Sequence, residues 1–158
     1  MAAPAATARQ DPLGIRMDDG YRTLITFSAD PDIELWEKSV KPPGLEGGEP
    51  IDTTTMHNDT LRTASPRALK TMTAGSIKCA YDPILFTRML SLINVEQTIT
   101  VTFPDTTTLA FYGFVKSFTP EDLQEGDMPM ASVELVPTNQ DPTTGAEEAF
   151  VLVNATGT

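Results

Sequence analysis

The sequence has one cysteine, one histidine and one tryptophan among its 158 residues. A single cysteine, Cys79, excludes a disulfide within the chain, and we interpret it as a small hydrophobe packed on a strand. One cysteine and one histidine, His57, are too few for a zinc site, which takes several nitrogen or sulfur ligands.

Cationic side chains are also scarce. The sequence has 11 Lys and Arg and 22 Asp and Glu, which gives a net charge of -11. Binding to DNA or RNA needs Lys and Arg that replace counterions on the phosphates, so this balance argues against ordinary nucleic-acid binding. No apolar run reaches the length that a membrane-spanning helix needs. Residues 1–12 lack the apolar stretch of a secretory signal, which predicts a cytoplasmic site of synthesis.

Catalytic motifs are absent as well. The sequence contains no glycine-rich phosphate loop followed by Lys, no G-x-S-x-G elbow and no H-E-x-x-H. Asp30 with Asp32, and the acidic run 121–127, lack the rest of a calcium-binding loop. His57 and Asn58 are neighbours on a predicted strand and would point to opposite faces, so they would not cooperate as an acid–base pair. We therefore expect no enzyme activity, no cofactor and no metal.

What the sequence does contain is the alternation that is typical of strands. Residues 97–103 read QTITVTF, with apolar side chains at every second position. Residues 109–118 are apolar on both sides, which predicts a strand covered on both faces. The alternation places Phe118 and Val115 on opposite faces of this strand. A bend or bulge is predicted at Gly113. Further strands are predicted near 24–28, 32–40, 74–82, 130–138 and 150–153, and the first two are predicted to pair as a hairpin.

One helix is predicted, from about residue 83 to 93. Asp82 is a suitable N-cap, and Pro83 stands at the first helical position. The predicted apolar stripe consists of Phe86, Met89, Leu90 and Ile93, with Leu85 and Leu92 beside it. Six to eight strands with one helix predict a mainly β fold, a β-sandwich or small barrel with a flanking α-helix.

Residues 41–66 are predicted to form a long loop between two extended segments. Pro42 and Pro43 stiffen its start, and the glycines that follow allow the backbone to fold back. We divide the chain into a flexible N-terminal arm (1–13), one β domain (14–138) and a C-terminal arm with a short strand (139–158). Long segments of this kind are often ordered by a neighbouring chain, which predicts an interaction protein.

In this order, the elements resemble those of the major tail tube proteins of siphophages, the phages with long, non-contractile tails. The resemblance spans about residues 14–138 and rests on the ordered set DGYRTLITFSADPDIELWEKSVKPPGLEGGEPIDTTTMHN, a strand ending in YDP, the helix ILFTRMLSLIN, the hairpin TITVTFPDTTTLAFYGFVKSFTP, an acidic loop and ASVELVP. It implies a β-sandwich of roughly orthogonal sheets. It also implies a structural virion protein whose hexameric rings, assembled in the host cytoplasm, stack into a tube for DNA ejection.

The resemblance also implies that the long loop bridges neighbouring subunits or rings. The residues assigned to this contact are Pro42, Pro43, Gly44, Leu45, Gly47, Gly48, Ile51, Thr53, Thr54, Thr55 and Met56. An acidic lumen would repel phosphates and let DNA slide without specific binding. The candidates for lumen-facing carboxylates are Asp32, Glu34, Glu37 and Glu134.

The implied partners are other copies of the chain, a tape-measure protein, a tail terminator and a distal tail protein, with no membrane partner. Three other functions stay open. A tail terminator or head–tail joining protein would form a single ring, and the inner tube of a contractile injection system shares the fold. A soluble β-sandwich binding module would recognise a peptide or a glycan.

Overall fold

The computed structural model describes residues 22–104 and 106–153, so the predicted N-terminal arm and the first part of the predicted β domain lie outside it. Over the described residues the chain forms eleven strands and one helix. The elements are β1 (Leu24–Phe27), β2 (Glu37–Lys41), β3 (Leu45–Glu46), β4 (Ile51–Asp52), β5 (Ala64–Ser65), β6 (Thr71–Met72), β7 (Gly75–Ala80), α1 (Pro83–Leu92), β8 (Gln97–Thr102), β9 (Thr108–Pro120), β10 (Met130–Pro137) and β11 (Val151–Val153). The prediction of a mainly β fold with one helix is confirmed.

Seven strands form one antiparallel sheet in the order β1-β8-β9-β10-β7-β2, and β11 pairs with the first residues of β9. The predicted hairpin between 24–28 and 32–40 is wrong, because β1 pairs with β8 and β2 pairs with β7. The connection folds through a turn at Asp30, whose carbonyl accepts a hydrogen bond from the Ile33 amide. It then buries Ile33 and Leu35 in the core, so these residues pack instead of pairing with β1.

The alternation of the strands produces the core, because every second side chain points to the same face. Its fully buried members include Phe27, Ile77, Cys79, Ile99, Val101, Phe111, Val115, Val133 and Leu135. Helix α1 covers this face with Leu85, Met89 and Leu92. Leu90 is 49% exposed, so its assignment to the apolar stripe is wrong.

The ends of α1 follow from three residues. Asp82 caps the first turn, where its carboxylate accepts a hydrogen bond of 3.0 Å from the Ile84 amide, and Pro83 follows it. The helix stops at Leu92, and Asn94 adopts a left-handed conformation with φ of 61°. The helix therefore begins where the sequence predicts and ends one residue earlier.

Strand β9 changes the direction of its side chains at Lys116. Glu134 of β10 lies opposite Ser117, and the next residue lies opposite Val115, so Lys116 is an extra residue in the ladder. This bulge brings Phe118 to the buried side together with Val115, and the predicted opposite placement is wrong. Gly113 marks a close approach instead, since a Cβ there would lie 2.6 Å from the Val136 carbonyl oxygen.

The predicted loop 41–66 is in fact part of a longer hairpin, which we call the arm (residues 44–73). Two short ladders build it, β3 with β6 and β4 with β5. The residues around Pro66 form the returning side of this hairpin. The arm leaves the sheet after β2 and returns at β7, which are neighbouring strands.

Arg88 ties α1 to the turn that follows β1. Its Nη2 and Nε donate to the two carboxylate oxygens of Asp30 at 2.6 and 3.1 Å, and Nη1 donates to the Asp32 carbonyl at 3.3 Å. A guanidinium makes such a fork because its donors lie in one plane. The contact joins two parts of the chain that are 58 residues apart.

We expect Arg88→Ala to lower the free energy of unfolding by about 1–2 kcal/mol, because hydrogen bonds to charged groups contribute about 1.5–3 kcal/mol and the partial exposure of this pair reduces that contribution. Arg88→Lys should recover only part of the loss, since an ammonium cannot form the fork. The matched control is Lys116→Ala, which removes the exposed ion pair with Glu134 and should cost less than about 1 kcal/mol. Urea unfolding followed by Trp36 fluorescence measures all three variants, and equal losses would contradict this role of Arg88.

Candidate assembly surfaces

The root of the arm is closed by two hydrogen bonds between Gly44 and Thr73. The Gly44 amide donates to Thr73 Oγ1 at 3.0 Å, and the Thr73 amide donates to the Gly44 carbonyl at 2.8 Å. Pro43 is buried beside this point, and a Cβ on Gly75 would lie 2.9 Å from the Lys41 carbonyl oxygen. The arm is therefore rooted by close backbone contacts at the sheet edge.

The tip of the arm is organised by Asn58. Its side-chain oxygen accepts from the Thr55 amide at 2.9 Å, and its nitrogen donates to the Leu61 carbonyl at 3.0 Å and to Thr63 Oγ1 at 2.7 Å. The sequence places His57 on a strand, whereas it lies in this exposed turn. One asparagine thus satisfies the backbone groups that the short ladder β4–β5 leaves open.

Almost every residue of the arm is exposed, although several are large and apolar. Met56 is fully exposed, and Leu61 and Leu69 are 79% and 83% exposed. Leu45 and Ile51 are about half exposed. The chain leaves these apolar side chains exposed to solvent, which makes the arm a candidate contact surface.

The structure divides the residues that were assigned to the inter-subunit loop. Pro43 and Gly44 belong to the root, and Pro42 is half-buried there. Leu45, Gly47, Gly48, Ile51, Thr53, Thr54, Thr55 and Met56 are exposed along the outgoing side. Sequence reasoning missed Leu61 and Leu69 on the returning side. Their signal was present as leucines in a segment of Thr, Ser and basic residues.

The four candidate lumen carboxylates lie in two places. Glu34 and Glu37 line one open groove between β1 and β2, and Asp32 is exposed just before them. Glu134 lies on β10, where its carboxylate accepts from Lys116 Nζ at 3.1 Å. Of the four candidates, Glu34 and Glu37 line the same groove.

Glu37 crosses the groove between the two end strands of the sheet. Its Oε1 accepts a hydrogen bond of 2.9 Å from the Ile25 amide of β1. Burial raises the pKa of the Glu37 carboxyl above its ordinary value, although the hydrogen bond from Ile25 acts in the opposite direction. Glu37 is thus a half-buried link between strands rather than a free surface charge.

Among residues 22–104 and 106–153, the one thiol is buried in the core. Cys79 is fully buried, and burial, followed by the charge of Glu37, raises the pKa of its thiol to about 11. These residues hold no cluster of three or more His, Cys, Asp or Glu side chains that could bind a metal ion. In the same part of the chain, no helix has the length and hydropathy to cross a membrane.

Comparison with known proteins identifies the fold. No protein-family model matches the sequence, and no curated protein matches it. A chain in the virion of a native gene transfer agent particle has a TM-score of 0.58 at 12% identity, with 87% of this chain and 99% of that chain covered. A chain in the extended sheath–tube complex of PVC, an extracellular contractile injection system, has a TM-score of 0.60 at 12% identity, with 97% and 100% covered.

A third structure, the tail of an empty gene transfer agent particle with C6 symmetry, matches with a TM-score of 0.58 at 11% identity, over 87% of this chain and 99% of that chain. The chain therefore has a mainly β fold that also occurs in subunits of phage-like tails and injection systems.

Glu37→Gln tests the cost of the buried charge. Because the pKa of Glu37 is higher in the folded protein than its ordinary value of 4.5, the folded protein binds this proton more tightly than the unfolded chain does. The stability that the protonated carboxyl contributes is therefore complete below pH 4.5 and is lost as the pH rises through the folded-state pKa. Glutamine keeps an acceptor for the Ile25 amide without charge. We expect a higher thermal midpoint than wild type at pH 7, and a difference that shrinks towards pH 4.

The control for Glu37→Gln is Glu34→Gln, which removes one negative charge from an exposed position in the same groove. It should change the midpoint less than Glu37→Gln does at pH 7. A Glu37→Gln protein that is less stable than wild type at pH 7 would show that the charged carboxylate stabilises the groove.

Proposed function

We propose that the chain is a structural subunit of a phage-type tail tube, in which hexameric rings of identical copies stack into a hollow conduit for genomic DNA. The exposed arm is the observation that carries the proposal. It presents Met56, Leu61 and Leu69 to solvent on ordered backbone, and a second copy is the partner that can cover them repeatedly. Head-to-tail contacts of this kind generate rings or filaments.

The fold supports the same proposal, because the similar chains come from particles whose titles name a virion, a tail and a sheath–tube complex. The non-contractile, siphophage type of tail is proposed on the sequence resemblance alone. The similarity to the chain from the PVC sheath–tube complex favours a second candidate, the inner tube of a contractile system. Electron microscopy of tails from the producing particle separates the two, since a contractile system carries a sheath around the tube.

The net charge of -11 suits a conduit that must release DNA. A wall of carboxylates repels phosphates, whereas Lys and Arg would hold DNA by releasing counterions. We propose Asp32, Glu34 and Glu134 as lumen-facing groups, and Glu37 as a member whose carboxylate is also used within the subunit. Tape-measure, terminator and distal tail proteins would complete the tail in the virion after assembly in the host cytoplasm.

The purified chain should form stacked rings or tubes at rising concentration in negative-stain electron microscopy. Single rings that never stack would favour a tail terminator or head–tail joining protein. A chain that stays monomeric over the same range would favour a soluble β-sandwich binding module and overturn the tube proposal.

The arm can be removed without opening the sheet. We expect a variant that replaces residues 45–72 by Asn-Gly to fold with nearly the same thermal midpoint, because Gly44 and Thr73 still close the root and a two-residue turn fits there. The same variant should form no tubes. A matched control, Thr54→Ser, changes one exposed arm residue and should polymerise normally. Normal tubes from the deletion variant would remove the arm from the assembly.

Charge reversal tests the conduit. The double variant Asp32→Lys and Glu34→Lys should polymerise, and its tubes should retain double-stranded DNA in low salt and release it as salt rises. The control reverses two exposed charges in the arm, Glu46→Lys and Glu49→Lys. If both variants bind DNA equally, then residues 32 and 34 do not face the lumen.

A further inference from the structure

The two sides of the arm differ in charge. The outgoing side, residues 44–59, has carboxylates and no Lys or Arg. The returning side, residues 60–73, has the reverse composition, with three cations and no carboxylate. Leu69 is 83% exposed on this side and stands between Arg67 and Lys70 in the sequence. The returning side therefore presents an apolar side chain between two cations.

Two of these cations are not compensated within the arm. Arg67 Nε donates to the Glu49 carbonyl at 2.7 Å, and this neutral acceptor leaves the charge of the guanidinium unpaired. Lys70 is exposed, and its ammonium makes no hydrogen bond or ion pair with the residues that the structure describes. Arg62 differs, because its Nη1 lies 3.5 Å from Asp52 Oδ2. Arg67 and Lys70 are therefore the cations that the arm offers to a second chain.

A surface of the opposite sign lies in the β9–β10 loop, residues 121–129. It reads EDLQEGDMP, with four carboxylates and no cation. Glu121 is used within the subunit, because its carboxylate accepts from Ser132 Oγ at 2.8 Å and lies 3.3 Å from Lys78 Nζ. This contact holds the first residue of the loop to the sheet.

The rest of the β9–β10 loop is exposed. Leu123 is 66% exposed and stands between Asp122 and Glu125. These two carboxylates form no hydrogen bond or ion pair within the part of the chain that the structure describes. The loop therefore presents an apolar side chain between two carboxylates, which complements Leu69 between two cations.

The order of residues matches on the two surfaces as well. Residues 67–70 of the arm, read from the last to the first, are Lys-Leu-Ala-Arg, and residues 122–125 of the loop are Asp-Leu-Gln-Glu. Two segments that lie side by side in opposite directions would bring a cation to a carboxylate at each end and leucine to leucine between them. The match thus includes both the charges and their spacing.

The two surfaces lie at opposite ends of the same strand ladder. The arm is rooted beside Gly75, the first residue of β7, whereas the β9–β10 loop leads into Met130, which pairs with Ala80 at the other end of β7. These ends are about 17 Å apart, at about 3.4 Å for each residue of a strand. Complementary surfaces at opposite ends of one subunit join identical copies head to tail.

We propose that the returning side of the arm docks on the β9–β10 loop of a second copy, with residues 67–70 antiparallel to residues 122–125. This docking rests on the proposed function, because it specifies the contact through which tube subunits join. The opposite charges select the partner and fix the register. Contact between Leu69 and Leu123 removes two exposed apolar side chains from water.

Reversal of either set of charges tests the docking. The loop variant, Asp122→Lys with Glu125→Lys, and the arm variant, Arg67→Glu with Lys70→Glu, each place like charges in the contact. We expect each to raise the concentration at which stacked rings appear in negative-stain electron microscopy at least about tenfold. All four residues are exposed, so the thermal midpoints should stay near that of wild type.

Two rescues follow from the proposed pairing. A variant with all four substitutions exchanges the signs of the two surfaces and should polymerise like wild type. A mixture of the loop variant and the arm variant should also polymerise where neither does alone, because each supplies the surface that the other needs. The matched control, Glu46→Lys with Glu49→Lys, makes the same change in net charge as the loop variant on the outgoing side and should polymerise normally.

The outcomes separate this docking from the proposed function. If wild type forms no rings or tubes, the proposed function fails and the docking fails with it. If wild type polymerises and both reversed variants do so at the same concentration, only the docking is wrong. Loss of polymers in both variants without recovery in either rescue would also overturn the docking, since the two surfaces would then have different partners.

Discussion

Strand β9 is the element on which the rest of the sheet depends, because three other strands pair with it. Its first residues pair with β8 and β11, and its last residues pair with β10. Gly113 lies where the ladders meet, opposite Gln97 of β8 and Pro137 of β10. A side chain there would collide with the Val136 carbonyl, so the absence of a Cβ is a condition for the whole seven-stranded arrangement.

The local elements could be predicted from the sequence because their signals are local. Asp82 with Pro83 indicates the start of α1, and alternating Ile99 and Val101 indicate a buried strand face. Strand pairing could not be predicted in the same way. The segment 32–40 alternates like a hairpin partner of β1, yet burial of Ile33 and Leu35 draws it into the core and leaves only β2 to pair. Burial of side chains in the core, which the sequence pattern does not show, therefore determines that this segment pairs with β7 and not with β1.

The sequence indicates where the candidate assembly surface lies in the chain, but it does not indicate that this segment is a hairpin. Proline and glycine at 42–48 indicate an excursion from the domain, but they do not reveal the returning strands β5 and β6. Those strands are two residues long, and Ala64 and Ser65 carry no alternation that a sequence pattern could detect. The hydrogen bond from the Ile25 amide to Glu37 could not be predicted from the sequence either. It joins β1 and β2, the two end strands of the sheet, and no sequence pattern indicates that these strands lie near each other.

The root of the arm has a mechanical consequence. The arm continues from the end of β2 and the start of β7, which are antiparallel neighbours, so tension along the arm pulls both strands in the same direction. Such a load does not peel β2 from β7. It passes to the ladder between β7 and β10 as shear, and six residue pairs carry it in parallel. A subunit held by its arm would therefore resist stretching through the middle of its sheet, where the side chains of Ile77, Cys79 and Val133 are fully buried.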